Sequence, residues 1–489
     1  MRMKVIRWTL APVGVVAFLL LLWKGPWWLD GAHLSPELTP GTGAIVTGFR
    51  TTVVAIGAGV VAAIGLYYTD RNFRHTKQLF EHTREKDREQ VELTREGQMT
   101  DRYAAAVDLL ASDSELKRLG GIYALERVMR DSPKDSATVL EVLAAFVRRN
   151  TRIPSSQDGQ NTEEHKISDE VMAALTVMGR RNSNLSNLSI DLHDCDLRNA
   201  DLANFNMREA IFKGSLLQKV NLQGANLQGA DLSGTNLYQA CLDEANLREC
   251  ILYMAKIELA TFERAQLMKS DLRRVNAQYA RMSGANLDES QLQNANFSSA
   301  HLSRASLREA LASEVDLRGS YINDADLTGV DLRRAKLERS HLEKANLSRA
   351  KLMNVQLCDS ELRGADFRDA NLQAANLARA DMRNCRLDGS NAKYAQLSGT
   401  NLAGAEASKA HFVQANLTKA DLRQANLAQS NLRSAHMKGA ATEGADFRGA
   451  SMLLITGATV EMLMLAKLDK ETDLDAEFGN SDRIKSIIE

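Results

Sequence analysis

From residue 190 to residue 454 the chain repeats with a period of five residues and never slips out of register. Of the 53 pentapeptide centres between Leu192 and Met452, 35 are Leu and 13 are Phe, Met or Ile. The residue two before each centre is Ala, Ser, Thr, Val or Cys in 51 of the 53 units. A large apolar residue paired with a small one at this spacing fits neither an isolated helix of period ~3.6 nor a strand of period ~2. A fixed short period instead predicts a solenoid.

Units such as Ala225–Gly229, Ala230–Gly234 and Ala345–Arg349 resemble the pentapeptide-repeat family, whose pattern is Ala, Asp or Asn, Leu and two further residues. The resemblance covers 265 of 489 residues. It implies a right-handed quadrilateral β-helix, with four pentapeptides in each coil, and therefore a mainly β fold class. A narrow tube has room for one large and one small side chain from each side, and two large ones would overpack it. Phe205 breaks this rule, so we expect it to loosen its coil or to close the N-terminal end.

Two uncharged apolar segments, residues 8–23 and 51–68, stand near the N-terminus. As helices with a rise of ~1.5 Å per residue they would extend about 24 and 27 Å, which is enough to cross a bilayer. Aromatic residues favour membrane interfaces. The segments are bracketed by Trp8, Trp23, Trp27, Trp28, Tyr67 and Tyr68. A cleaved signal peptide followed by a core helix is the alternative, although no small-residue cleavage site follows the first apolar run.

Basic residues lie outside the pair of apolar segments rather than between them. The connecting residues 24–50 carry only Lys24 and Arg50, both at its edges, whereas the outer flanks carry Arg2, Lys4, Arg7, Arg71, Arg74 and Lys77. The positive-inside rule predicts two spans with both termini in the cytoplasm. We expect the protein to lie in the inner (cytoplasmic) membrane of a bacterium. Five cysteines without a disulfide framework fit that placement.

A stripe of small residues, Ala55, Gly59 and Ala63, follows one face of the second apolar segment. Such spacing permits close helix packing in membranes. The stripe can pack on the first span within one hairpin or on another copy of the chain, which makes a homo-oligomer possible.

Residues 70–102 contain eight acidic and eight basic residues, with opposite charges recurring three apart. This pattern predicts a solvated helical stalk, because the apolar residues do not keep a coiled-coil heptad. Residues 103–150 give three amphipathic helical stretches, and the segment LKRLGGIYALERVMR is similar to parts of HEAT-like repeats. Protein contact and simple capping of the solenoid both remain open as uses of this small helical module.

The predicted organisation follows from these patterns. It comprises a two-span transmembrane hairpin (1–69), a charged helical stalk (70–102), the helical module (103–150), a linker with an N-terminal capping helix (151–181), the β-helix (182–455), and a C-terminal cap with an acidic tail (456–489) that includes a short helix at 459–468.

No phosphate-binding loop, nucleophile elbow, HExxH or CxxC motif occurs in the sequence, so we expect no enzyme activity, no cofactor and no catalytic or metal site. His301 and His341 would lie two coils, or ~10 Å, apart, which is too far for one metal ion. Residues 190–454 hold 33 Lys and Arg against 32 Asp and Glu. This near neutrality argues against nucleic-acid binding and against the DNA mimicry by which some members of the family inhibit gyrase.

Two functions remain. The favoured one is a membrane-tethered scaffold that displays a rigid β-helical rod in the cytoplasm and has the lipid bilayer and an unidentified protein as partners. The alternative is an oligomerising two-span membrane effector, whose cytoplasmic solenoid senses a trigger or a partner.

Overall fold

The computed structural model describes residues 2–31, 39–153, 167–181 and 188–488. It divides the chain into two compact units, Met1–Thr100 and Asp101–Glu489.

The first unit is built from two helices. Helix α1 runs from Arg2 to Asp30, and helix α2 runs from Pro40 to Leu110. The second apolar segment, the charged stalk and the first stretch of the helical module, which the sequence separates, thus belong to one continuous helix. The reason is that no proline stands between Pro40 and Pro133 to break it.

Helices α1 and α2 pack against each other through glycines. The ring of Phe18 lies 2.7 Å from the place where a Cβ on Gly57 would be, and the ring of Phe49 lies 2.6 Å from the corresponding place at Gly25. Helix α1 continues past the predicted end of its apolar segment and through Pro26. Proline has no N–H for the carbonyl four residues earlier.

The carbonyl that Pro26 leaves without a donor is that of Leu22. The Arg50 guanidinium on α2 donates to it, with Nε 3.1 Å from the oxygen. Arg50, which the sequence places at the edge of the connecting segment, therefore joins the two helices. In a lipid environment, where water cannot replace a missing partner, such compensation is required.

In the second unit, the residue before each pentapeptide centre from Leu192 to Met437 forms a parallel β-bridge with the residue 20 positions later, as in Asp231↔Ile251. One coil therefore contains four pentapeptides, as the sequence predicts. Each bridge is formed by a single residue, and a two-residue turn lies between one bridge residue and the next. Within the described ranges, the extended strands are only β1 (Ser451–Met452) and β2 (Asp473–Leu474), so "mainly β" overstates the strand content.

Hydrogen bonds run between coils and close each turn. In a typical unit, the Leu232 N–H donates to the Ile251 carbonyl at 2.7 Å, and the Thr235 N–H donates to the Leu232 carbonyl at 3.2 Å. The second residue after the centre has a positive φ in all 53 units, 39 of which carry a residue other than glycine there. This is the signature of a type II turn. Val, Ile and Thr, the side chains that tolerate this conformation least, never occupy the position.

The interior of this column of coils is filled by the pentapeptide centres and their small neighbours. Phe367 and Leu347 are completely buried. The five centres with small side chains also face inward, each at most 2% exposed: Ala277, Ala312, Ala392, Ala407 and Thr442.

Three helices precede the column: α3 (Glu115–Asp131), α4 (Ser136–Asn150) and α5 (Asp169–Gly179), with a 3₁₀ turn at Pro133–Asp135. Helices α3 and α4 match the second and third predicted amphipathic stretches, and α5 matches the predicted capping helix. Helix α5 packs against both α3 and α4. A partly buried ion pair between Arg118 and Glu170, 2.6 Å long, joins α3 to α5.

The segment predicted as linker and capping helix (151–181) closes the N-terminal end of the column. Arg152 forms an antiparallel bridge with Cys195, and the Asn206 N–H donates to the Gly179 carbonyl at 2.9 Å. The ring of Phe205 packs on Gly179, so this residue closes the end rather than loosening its coil. Arg148 of the helical module pairs with Asp191 of the first coil, with Nη1 3.3 Å from Oδ2, and this contact favours the capping interpretation of the module. The predicted linker is shorter than expected because Thr151 and Arg152 belong to this cap, and residues 154–166 lie outside the described residues.

A buried guanidinium group hydrogen-bonds to the backbone at the N-terminal end of the column. Arg181 is 4% exposed and donates to the backbone carbonyls of Leu188, Asn206 and Arg208. Burial lowers the pKa of Arg181 to about 10. These donors satisfy carbonyls at the first coils, where none of the described residues of a preceding coil supplies an N–H.

At the other end, helix α6 (Val460–Met464) starts at Thr459, whose hydroxyl accepts from the Met462 N–H at 3.3 Å. The helix is shorter than predicted because Lys467 returns to the column and bridges Asp446. Strand β2 pairs in parallel with β1 and is followed by α7 (Ala476–Gly479) and α8 (Asp482–Ile488). Phe478 and Ile484 are buried, so most of the predicted acidic tail is packed structure.

Candidate functional site

Most of the described apolar side chains of the first unit face outward, with Val46 and Val53 as buried exceptions. Leu66 is 72% exposed, Val61 71% and Ile56 62%. Two helical stretches, Ala11–Leu29 and the apolar part of α2, are long and apolar enough to cross a membrane. Exposed apolar surface on this scale marks an interaction with a partner or a membrane.

The aromatic residues that the sequence assigns to membrane interfaces lie on these two helices. Tyr67 and Tyr68 pack edge to face with ring centroids 5.8 Å apart, and the Lys24 ammonium lies 5.9 Å from a Trp23 ring. The described side chains in this set are all exposed: Trp23, Trp27, Trp28, Tyr67 and Tyr68. Trp8 lies in α1, and its side chain is outside the described part of the structure.

The small-residue stripe lies away from the contact between α1 and α2. Ala55, Gly59 and Ala63 are exposed, and no atom comes within 4 Å of the place where a Cβ on Gly59 would be. The contact with α1 instead uses Gly57, two residues from Gly59, with Val53 buried nearby. Packing of the stripe on the first span, one of the two alternatives left by the sequence, is therefore not what the structure contains.

The surface of the column is dominated by a recurring ion pair within single pentapeptides. Wherever Asp precedes a centre and Arg follows it, the two side chains form a two-point contact, as between Arg333 and Asp331, with N–O distances of 2.8 and 2.6 Å. The eight pairs are Asp196/Arg198, Asp271/Arg273, Asp316/Arg318, Asp331/Arg333, Asp366/Arg368, Asp381/Arg383, Asp421/Arg423 and Asp446/Arg448. Sequence reasoning missed them, although the pattern Asp-x-Arg around a centre marks every one.

These pairs neutralise the arginines locally. The hydrogen bonds from Arg383 hold the pKa of Asp381 below its ordinary value, against the opposing effect of burial. At Asp331 burial alone would raise the pKa, but the hydrogen bonds from Arg333 outweigh it and the pKa is lowered. The column thus presents paired charges rather than a basic or acidic face, in agreement with the near neutrality of the sequence.

The three inward-facing cysteines are small buried residues. Cys195, Cys250 and Cys385 are at most 1% exposed, and all five cysteines of the chain are free thiols. Burial raises the pKa of the Cys195 thiol to about 11. Such thiols are poor nucleophiles and metal ligands.

His301 and His341 belong to one ladder of aromatic rings. Tyr321 lies between them, with centroids 4.7 Å from His301 and 4.6 Å from His341 and with nearly parallel ring planes. The two histidines are therefore too far apart to share a metal ion, as the sequence predicts.

At one end of this ladder, His341 meets two carboxylates. His341 Nδ1 lies 3.1 Å from Glu361 Oε2, and one ligand atom each of His341, Glu343 and Glu361 lie within 4.8 Å of one another. Hydrogen bonding with His341 and Glu343 holds the pKa of Glu361 below its ordinary value. Sequence reasoning did not find this group. Its signal is the pair His341 and Glu343 around one centre, together with a glutamate at the position of the histidine in the next coil.

Comparison with known protein families finds a match to pentapeptide repeats in overlapping stretches over residues 190–252 and 257–452, which together make up more than half of the chain. No catalytic family is indicated. A search of curated proteins finds no significant match.

Solved structures include several with similar segments. Rfr23 from the cyanobacterium Cyanothece 51142 is 38% identical over 17% of this chain and 58% of its own, with a TM-score of 0.17. HetL, a pentapeptide repeat protein involved in heterocyst differentiation regulation from Nostoc sp. strain PCC 7120, is 28% identical over 58% of this chain and 98% of its own, with a TM-score of 0.16. The plasmid-mediated fluoroquinolone resistance protein QnrB1 is 13% identical over 41% of this chain and 93% of its own, with a TM-score of 0.26. From the family match and the coil of four pentapeptides, this chain belongs to the pentapeptide-repeat family.

Proposed function

We propose that this protein is a membrane-tethered scaffold, in which α1 and the apolar part of α2 span the cytoplasmic membrane and the pentapeptide-repeat column binds protein partners in the cytoplasm. The observation that carries the proposal is the outward orientation of the apolar side chains of the first unit. A helix in the core of a soluble protein buries such residues, whereas a membrane helix turns them toward lipid.

The column suits protein binding better than chemistry. Its backbone is fixed by hydrogen bonds between coils, and its charges are held in local pairs, so it offers flat, rigid surfaces. Tyr238, Leu259 and Tyr279 are exposed by 39%, 42% and 56%. They follow corresponding centres of three successive coils and therefore lie on the same side of the column. Exposed aromatic and aliphatic side chains are typical anchors of protein interfaces.

Membrane fractionation followed by alkaline extraction tests the tether. We expect the full-length chain to stay in the membrane pellet and a fluorescent protein fused after residue 489 to be active, whereas alkaline phosphatase fused there is inactive. A chain extracted by carbonate, or active phosphatase at the C-terminus, would contradict the proposed placement.

Affinity purification of the full-length protein in detergent, with chemical cross-linking and mass spectrometry, tests the scaffold. We expect a foreign protein in fixed stoichiometry, cross-linked near Tyr279, that is lost when Leu259 and Tyr279 are both replaced by Glu. The matched control is Tyr394→Glu, because Tyr394 is similarly exposed (48%) on another part of the column. Equal recovery of the partner with both variants would place the interface elsewhere.

The second candidate, an oligomerising membrane effector, is favoured by the exposed position of Ala55, Gly59 and Ala63. Under this function Gly59→Leu blocks close packing between copies and abolishes the homo-oligomer, whereas the scaffold tolerates it. Gly57→Leu is the contrasting variant, because its side chain would collide with Phe18 and disturb the hairpin itself. Sizing of both variants in detergent, with a membrane-potential assay in cells, separates the two functions.

A further inference from the structure

We propose that His341, Glu343 and Glu361 form a surface site for a divalent transition-metal ion, with zinc as the best fit. This site is independent of the scaffold function, and its test does not depend on a protein partner.

The donor atoms are close to the arrangement that zinc requires. In a tetrahedral site with metal–ligand distances of about 2.0–2.2 Å, ligand atoms stand roughly 3.3–3.6 Å apart. His341 Nδ1 and Glu361 Oε2 are already 3.1 Å apart, and all three ligand atoms lie within 4.8 Å of one another. Small side-chain rotations therefore bring Glu343 into coordination without any movement of the backbone.

The donor types also fit. One imidazole nitrogen and two carboxylate oxygens suit zinc better than magnesium or calcium, which prefer oxygen ligands alone. Three protein ligands leave a fourth position for water or for a donor from another molecule. The group is partly exposed, so an ion can enter from solvent.

The fold holds the three side chains in register. His341 and Glu361 are partners in a β-bridge between adjacent coils, and Glu343 follows His341 by two residues around the buried centre Leu342. Their spacing is therefore set by the hydrogen-bonded backbone of two coils. A rigid set of ligands loses little conformational entropy when the ion binds.

Neighbouring side chains orient the ligands. The His341 ring is stacked on Tyr321 with an interplanar angle of 3°. The Asn323 amide donates to Glu343 Oε2 at 2.7 Å. Outer partners of this kind fix ligand orientation in metal sites. Arg363 occupies the position of Glu343 in the next coil, two residues after Glu361.

Equilibrium dialysis of the full-length protein in detergent against zinc, with metal quantified by mass spectrometry, tests the site. We expect the wild-type protein to bind one more zinc ion per chain than His341→Gln does. We expect Glu343→Gln and Glu361→Gln to bind that ion at least tenfold more weakly than wild type. The matched control is His301→Gln, at the other end of the same ladder, which should retain the wild-type affinity. Unchanged stoichiometry and affinity in His341→Gln and Glu361→Gln would overturn the proposal, as would equal loss in His301→Gln.

A measurement on the unaltered chain guards against misfolded variants. Cobalt added to wild-type protein should give the intense visible absorption of a four-coordinate ion at one equivalent, and zinc should displace it. The weak spectrum of hydrated six-coordinate cobalt throughout the titration would overturn the proposal. Melting curves in chelator establish that each variant is folded before its affinity is compared, and zinc should raise the melting temperature of wild type but not of His341→Gln.

Discussion

Leucine behaves differently in the two units of this protein. In helix α1, Leu19 is 56% exposed and Leu21 42%, whereas in the column of coils Leu347 is completely buried. The backbone of α1 is hydrogen-bonded as a helix, apart from the Leu22 carbonyl that Arg50 serves, and the backbone of the column is hydrogen-bonded between coils. The column also covers its own apolar surface, because each inward side chain packs between two neighbouring coils. The first unit leaves most of its apolar surface uncovered, and under the proposed function a bilayer covers it.

The largest effect on the free energy of unfolding is expected for a substitution inside the column. Phe367→Ala removes a completely buried ring and should lower the free energy of unfolding by about 3–5 kcal/mol. Denaturant unfolding of the full-length protein in detergent measures it, with the exposed Arg433→Ala as control. A loss as small as that of the control would mean that the interior is not tightly packed.

A charged residue in the first unit tests whether lipid surrounds its exposed apolar side chains. Val61→Asp places a carboxylate in the predicted span and should disfavour membrane insertion by about 2.5–3.5 kcal/mol. Val91→Asp is the matched control, since Val91 is 68% exposed and Val61 71%, yet Val91 lies in the charged part of the same helix. Alkaline extraction should release only the Val61→Asp variant. If both variants remain equally in the membrane, lipid does not surround Val61.

A smaller effect is expected at the turns. Arg349 has a φ of 59°, and Arg349→Val places a β-branched side chain in this left-handed conformation. Arg349 already bears the usual cost of that conformation, so we expect a further loss of only about 1 kcal/mol from the extra branch at Cβ. Arg349→Gly should be close to neutral, because glycine adopts it freely. Thermal unfolding of the pair measures the difference, and equal stability of the two variants would show that the turn relaxes.

The smallest effect concerns the ion pairs of the column. The pKa of Asp381 is lowered in the folded protein, so its pairing with Arg383 contributes stability above the ordinary aspartate pKa. That stability is lost as the pH falls through the lowered value in the folded state. Arg383→Gln should therefore be slightly less stable than wild type at neutral pH, and the two should become equally stable once the pH is below the lowered pKa of Asp381. A difference that persists unchanged in acid would show that Arg383 acts through packing instead.

Much of the column could be predicted because a single physical rule repeats 53 times. A large centre and a small neighbour must both point inward, so a coil of four pentapeptides follows once the family is considered. The left-handed turn residues were also encoded, by the absence of Val, Ile and Thr at the second position after each centre, but that signal is an exclusion and is easily overlooked.

Three kinds of side-chain contact were harder to predict from the sequence. The group of His341, Glu343 and Glu361 depends on which residue of the next coil lies beside His341. The distance between one histidine and the next does not reveal that neighbour. The Asp-x-Arg pairs lie within one pentapeptide, but their geometry depends on a turn that aims both side chains at each other. The hydrogen bond from Arg50 to Leu22 depends on where Pro26 falls once α1 and α2 have paired, and no local pattern specifies that pairing.

Protease treatment of oriented membrane vesicles carrying the full-length protein tests the central claim most directly. The account predicts that protease added to inside-out vesicles cuts in the exposed, charged part of α2, residues 70–100, and releases a soluble, folded pentapeptide-repeat fragment, while the first unit stays in the membrane. Right-side-out vesicles should protect the column completely. Release of the column from right-side-out vesicles, or recovery of the intact chain in the supernatant without protease, would contradict a protein anchored by its first unit with its repeats in the cytoplasm.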